Sequence, residues 1–113
     1  MTTIMVKATP TPKFTVVFAP ETVEHMKAIE AQHHSAIGEA IDGQLLYTPN
    51  SQTRNRKPLA TPAPFDATWE LRCGADNRFR ILYEVDDRNR IVNILAIGVK
   101  ERNRLIIGNE EFR

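Results

Sequence analysis

The side chains in this sequence that could do chemistry together are cations. Arg72 closes the run Thr68-Trp-Glu-Leu-Arg72, and Arg78 and Arg80 open the run Arg78-Phe-Arg-Ile-Leu-Tyr-Glu-Val85. Lys100, Arg102 and Arg104 end or follow Arg90-Ile-Val-Asn-Ile-Leu-Ala-Ile-Gly-Val-Lys100. Successive side chains of a strand alternate between faces, so Phe79, Ile81, Tyr83 and Val85 share one side while Arg78, Arg80 and Glu84 share the other. Cations from three neighbouring segments can then converge on one anion. Arg54, Arg56 and Lys57 lie in a stretch without a local acid and are placed to reach the same anion. Such a set permits cleavage of RNA by its own 2′-OH without a metal, because fixed guanidinium groups stabilise charge on the phosphorane. Proton transfer is harder to assign: arginine stays protonated, and Lys100 acts as a base only in surroundings that lower its pKa. Arg72 and Arg80 have a second use, as cross-strand partners of Glu70 and Glu84.

Other chemistries find less support. His25, His33 and His34 lie on or near one helical segment, no second cluster completes a zinc set, and no cofactor is expected. Gly74 and Gly98 stand alone rather than in a phosphate loop, and no serine sits in a nucleophile elbow.

The 113 residues suffice for one domain with a single core. The formal net charge of +1 hides an uneven distribution. Residues 1–50 carry three lysines against five acids, whereas residues 51–104 carry eleven Lys/Arg against seven acids. The excess suggests a surface facing a polyanion, with charged strand edges that block aggregation as the plainer alternative. A single cysteine, Cys73, excludes an internal disulfide framework and suits a reducing cytoplasm. No stretch approaches about 18 apolar residues, so no membrane span is expected, and the N-terminus has no secretory h-region.

The cations need positioning elements. Met1 to Lys13, with Pro10 and Pro12 among threonines, reads as a mobile tail, leaving residues 14–113 as the domain. Phe14-Thr-Val-Val-Phe18 is a first strand stopped by Pro20. Val23, Met26 and Ile29 mark a first helix that begins near Pro20. Ile37, Ile41 and Leu45 make one apolar stripe of a second helix, weakened by Gly38 and Gly43, with Ser35 as its cap. Thr48 to Ala67, with four prolines, reads as a connecting loop. Three antiparallel strands follow, joined by Gly/Asn/Asp turns too short for a helical crossover. The expected fold is α+β, in the order β-α-α-β-β-β, with two N-terminal helices on a small, mainly antiparallel sheet.

Trp69-Glu-Leu-Arg72, Asn77-Arg-Phe-Arg-Ile-Leu-Tyr-Glu-Val85 and Ile94-Leu-Ala-Ile-Gly-Val-Lys-Glu-Arg102 together resemble the core motifs of the RelE/ParE toxin superfamily of bacterial type II toxin-antitoxin systems. The resemblance spans Phe14 to about Ile107 and implies the same β-α-α-β-β-β order. RelE-like members cut messenger RNA in the ribosomal A site, ParE-like members poison DNA gyrase, and both are silenced by an adjacent antitoxin. The resemblance thus implies an mRNA endonuclease that inhibits translation, with a gyrase inhibitor or a non-catalytic antitoxin-binding member as alternatives. Arg80 then matches the phosphate-contacting arginine, Arg72 the arginine ending the previous strand, and Lys100 the position of a catalytic arginine. Arg54, Arg56, Lys57, Arg78, Arg102 and Arg104 would bind RNA around them. The chain departs from the RelE-type set at Thr68, Glu70 and Ile106, where two lysines and a tyrosine would stand. A small acidic antitoxin would cover the apolar stripe of the second helix and an edge of the sheet.

Overall fold

The run Ile91–Glu101 is rich in β-branched residues and apolar over most of its length, so it must be covered on both faces. In the computed structural model, which describes residues 13–112, this run is the central strand of a sheet. The elements in chain order are β1 (Thr15–Phe18), α1 (Thr22–Lys27), a 3-10 turn (Ala31–His33), α2 (His34–Leu45), β2 (Arg56–Pro58), β3 (Trp69–Cys73), β4 (Phe79–Asp86), β5 (Ile91–Glu101), β6 (Arg104–Ile107) and β7 (Glu110–Phe112). Neighbouring strands run β2-β3-β4-β5-β6-β7, all antiparallel, and β1 pairs with β5 in parallel.

The expected architecture of two helices on a small sheet is therefore corrected. The described residues form a seven-stranded, sheet-rich fold, and α2 is its one substantial helix, because α1 has only six residues. Two features of the sequence account for the difference. The proline-rich connection holds a short strand, β2, whose Pro58 is tolerated because β2 is an edge strand. Beyond Lys100 the chain keeps pairing: β5 and β6 meet through Arg102-Asn103, and β6 and β7 through Gly108-Asn109, where both φ angles are positive. The expected tail, residues 1–12, lies outside the described residues; Lys13 is exposed.

The main core lies between the helices and one face of the sheet. Ile37, Ile41 and Leu45 of α2 are buried against Leu71, Ile81, Tyr83, Ile94 and Ile97. The stripe expected to receive an antitoxin is thus inside the protein. The large apolar side chains left exposed include Val17, Phe18 and Val23. Ser35 does not cap α2; its hydroxyl meets Glu39 Oε1 at 3.4 Å. A register shift between Leu82 and Tyr83 sets Leu82 opposite Ala96 and Tyr83 opposite Ile94. That irregularity lets Ile94 and Ile97, three apart, share one core. Behind the sheet, Ala67, Leu82, Ala96 and Ile107 form a second, smaller core. Gly98 is required there: a Cβ would lie 2.7 Å from the Ile106 carbonyl oxygen, so only glycine lets β6 approach.

Of the expected Val23, Met26, Ile29 stripe, Ile29 is buried in the main core and Met26 packs against it, but Val23 departs from it. Val23 is exposed, while Thr22 and His25 are buried. In a two-turn helix the apolar period is a weak constraint, and polar satisfaction decides the phase. The Thr22 hydroxyl donates to the Ala19 carbonyl at 2.6 Å. His25 Nδ1 accepts the Ile97 amide at 3.3 Å, at a point where β5 has passed β1 and not yet met β6. His34 in turn donates from Nε2 toward the Met26 and Ile29 carbonyls, at 2.7 and 2.8 Å, and closes the end of the α1 segment.

Burial holds the His25 imidazole below its ordinary value, with Glu21 pulling weakly the other way. Protonation would also place a hydrogen on Nδ1, against the Ile97 amide. Unfolded chains bind the proton more readily, so stability is full above about pH 6.5 and falls as the pH drops below it. Urea denaturation at pH 7.5 and 5.5 should show the loss for the wild type and a flatter profile for His25→Gln; equal slopes for both would remove His25 from the account.

Candidate cationic cleft

The antiparallel ladder that buries Leu71, Ile81 and Ile97 on one face sends Arg72 and Arg80 to the other. The two arginines are direct cross-strand partners. Opposed residues project from the same face of the sheet, so their like charges repel. Glu70 offsets that repulsion. Its Oε1 accepts Arg72 Nε–H at 3.0 Å and a hydrogen from the Arg80 guanidinium at 3.2 Å, with the carboxylate side chain only 10% exposed. Arg80 also donates Nε–H to the Asn77 carbonyl at 3.1 Å, so its plane is held at two points. Glu84, the other expected partner, instead accepts from Asn93 at 3.2 Å.

Beside this pair the surface sinks into a cleft of about 560 Å³ lined by Ala75, Asp76, Arg78, Arg80, Lys100 and Arg102. Four cations thus face one space against a single carboxylate, Asp76. Gly74, with φ at +80°, leads into the 3-10 turn Ala75–Asn77 that delivers Arg78. The Lys100 amide donates to the Arg78 carbonyl at 2.7 Å and fixes the β5 end beside the start of β4. Arg102 occupies the β5–β6 turn with a positive φ of 56°. Among the described residues, Arg78, Lys100 and Arg102 form no ion pair. Arg78 also lies over the Phe79 ring, 5.3 Å from its centroid, and borders a second hollow of about 130 Å³ with Glu30, His33 and Glu101. His33 packs against Phe79 at 5.1 Å between ring centroids.

The expected cations therefore separate into groups. Arg78, Arg80, Lys100 and Arg102 come together, with Arg72 alongside through Glu70. Arg54 and Lys57 are exposed at the β2 end of the sheet and do not line the cleft. Arg104 leans on Glu111 at 3.8 Å. Arg56 is a correction: its guanidinium is buried and donates to the carbonyls of Gln44, at 2.7 Å, and Thr48. It ties the end of α2 and the following turn to β2, and it is not free to bind RNA. Sequence reasoning recognised Glu70 only as a partner of individual arginines; it missed the shared bridge and the Asn77 carbonyl. The clue was register, since Glu70 is diagonal to Arg80 on the same face once Arg72 and Arg80 are opposed.

Among the described residues, no three His, Cys, Asp or Glu side chains lie close enough together to hold a metal ion. Cys73 is buried, and burial pushes its thiol up to about 11, which leaves it unreactive near neutral pH.

Removing the Arg56 side chain takes its donor from the Gln44 carbonyl and leaves the Thr48 carbonyl with the Ser51 amide at 3.3 Å. Arg56→Ala should lower unfolding free energy by about 3 kcal/mol, whereas exposed Arg54→Ala should change it by less than about 0.5 kcal/mol. Denaturant titration of the two variants provides the comparison.

Comparison with known proteins adds no relative from which to transfer a role: no family model matches the chain, and no curated protein matches it.

Proposed function

We propose that the chain is a toxin of a type II toxin-antitoxin system that cuts messenger RNA on the ribosome and so inhibits translation. The observation that carries this reading is the gathering of Arg78, Arg80, Lys100 and Arg102 around one cleft, with Arg72 and Arg80 braced beside it. The motif resemblance to RelE/ParE toxins, carried by residues 69–72, 77–85 and 94–102, supports it. In this reading Arg80 and Arg72 hold the scissile phosphate and stabilise its developing charge, and Lys100 contributes a further positive charge. Arg78 and Arg102 hold the flanking backbone. The attacking group is the RNA 2′-OH. Inhibition falls to an acidic antitoxin, for which the exposed Val17, Phe18 and Val23 around the β1 edge offer an apolar footing.

Four phosphate contacts to a single strand give a slope of log affinity against log salt of about −3. Binding of an unstructured RNA oligomer should weaken accordingly, and Arg78→Ala should reduce the slope by about 0.7. A flat salt dependence would remove the nucleic-acid reading.

The activity itself is tested by inducing the chain in a bacterial host and mapping transcript ends. New 5′ ends within translated regions, absent when ribosomes are kept off the transcript, are the expected result. Intact transcripts accompanied by loss of gyrase supercoiling would overturn the reading in favour of gyrase inhibition. Intact transcripts with unaffected gyrase would leave antitoxin binding as the chain's activity.

A further inference from the structure

We propose that Glu70 is a positioning residue for the arginines of the cleft, an inference that rests on reading the cleft as a phosphate-holding site. Glu70 is buried, and one oxygen, Oε1, receives Arg72 Nε–H at 3.0 Å and the Arg80 guanidinium at 3.2 Å. A surface ion pair that served stability alone would be exposed and worth little. This carboxylate instead sits between two directly opposed arginines whose side chains are 33% and 12% exposed. Without it the like charges repel, and the more exposed guanidinium of Arg72 swings toward water. Arg80 keeps one tether, the Asn77 carbonyl, and can pivot about it.

The bridge uses one edge of each guanidinium and leaves N–H groups over. On Arg72 these are the two terminal nitrogens, and on Arg80 the one terminal nitrogen not bound to Glu70. The fork left on Arg72 and the terminal nitrogen left on Arg80, tied to one acceptor, suit a phosphate that gains charge as it becomes five-coordinate. Glu70 therefore acts through the arginines and does not touch the substrate. Its Oε1 is engaged twice by N–H donors, and the shape of the pH profile separates this role from proton acceptance by Oε2.

The test compares Glu70→Gln with Glu70→Ala in the full chain, using single-turnover cleavage of an mRNA on programmed ribosomes. Glutamine keeps an acceptor oxygen at the same reach but loses the counter-charge, so Glu70→Gln should fall between wild type and Glu70→Ala, within about tenfold of wild type. Glu70→Ala should lower kcat by about a hundredfold, the scale of a 1 Å misplacement, with a much smaller change in KM and an unaltered shape of the pH profile. Undiminished kcat in Glu70→Ala would overturn the proposal. So would a Glu70→Gln variant as slow as Glu70→Ala with one limb of the pH profile missing, because that pattern belongs to a proton acceptor.

A second readout does not depend on cleavage. In the 15N-labelled protein, the Arg72 Nε–H signal should be sharp in wild type and Glu70→Gln and lost to solvent exchange in Glu70→Ala. An unchanged signal in Glu70→Ala would overturn the positioning role. If wild-type protein leaves the mRNA uncut, the functional reading fails, and this signal still decides whether Glu70 holds the arginine.

Discussion

The structure depends on how β5 is enclosed. β4 runs along one edge of it, while the other edge is shared between β1, over residues 91–94, and β6, over residues 98–101. The handover leaves a short gap in which a buried amide has no strand to bind. His25 fills it from α1, which explains why a polar, titratable residue is buried on a helix that otherwise has little to hold it. β5 is buried without interruption from Ala96 to Gly98, and beyond that stretch its polar end at Lys100 and Glu101 reaches solvent. The cleft forms there. Its cations come from the end of β5, from the β5–β6 turn and from the beginning of β4, all held by the same ladder.

Period-two alternation made the face of β4 readable. Phe79, Ile81 and Tyr83 enter the core, while Arg80 and Glu84 take the other face. The four-residue spacing of Ile37, Ile41 and Leu45 likewise marked an inward stripe, although its burial removes it as a docking surface. Other elements were obscured for identifiable reasons. β2 is three residues long and ends in proline, so no alternation could show. β6 and β7 are only four and three residues long and begin or are flanked by charged residues, which masks the hairpin pattern of Leu105-Ile-Ile followed by Gly108-Asn109. In α1, long-range hydrogen bonds outweighed the apolar period. The burial of Arg56 depends on carbonyls at Gln44 and Thr48, and a cation near prolines reads locally as a solvent-facing one.

The charge distribution of the cleft has two tiers. Arg72 and Arg80 are partly buried and neutralised in part by Glu70, which keeps two opposed guanidinium groups compatible with a folded sheet. Arg78, Lys100 and Arg102 carry no such counter-charge among the described residues and stand at the more open side. Braced groups cost little reorganisation when an anion arrives, and uncompensated ones strengthen the field that attracts it. Tyr83 illustrates the same economy inside the fold: its hydroxyl donates to the Pro49 carbonyl at 2.6 Å, so the proline-rich connection is anchored to β4 through one buried bond.

Gly98 joins these themes at one position. It lies opposite Arg80 on β4 and opposite Ile107 on β6. The missing side chain serves both neighbours: β6 can close to hydrogen-bonding distance, and the surface next to Arg80 is backbone rather than bulk. Any other residue at 98 would push against the Ile106 carbonyl and the Ile107 and Leu105 side chains. In a survey of random variants this site would behave as a single point of failure for folding, because nothing larger than glycine admits β6 beside β5 at that position.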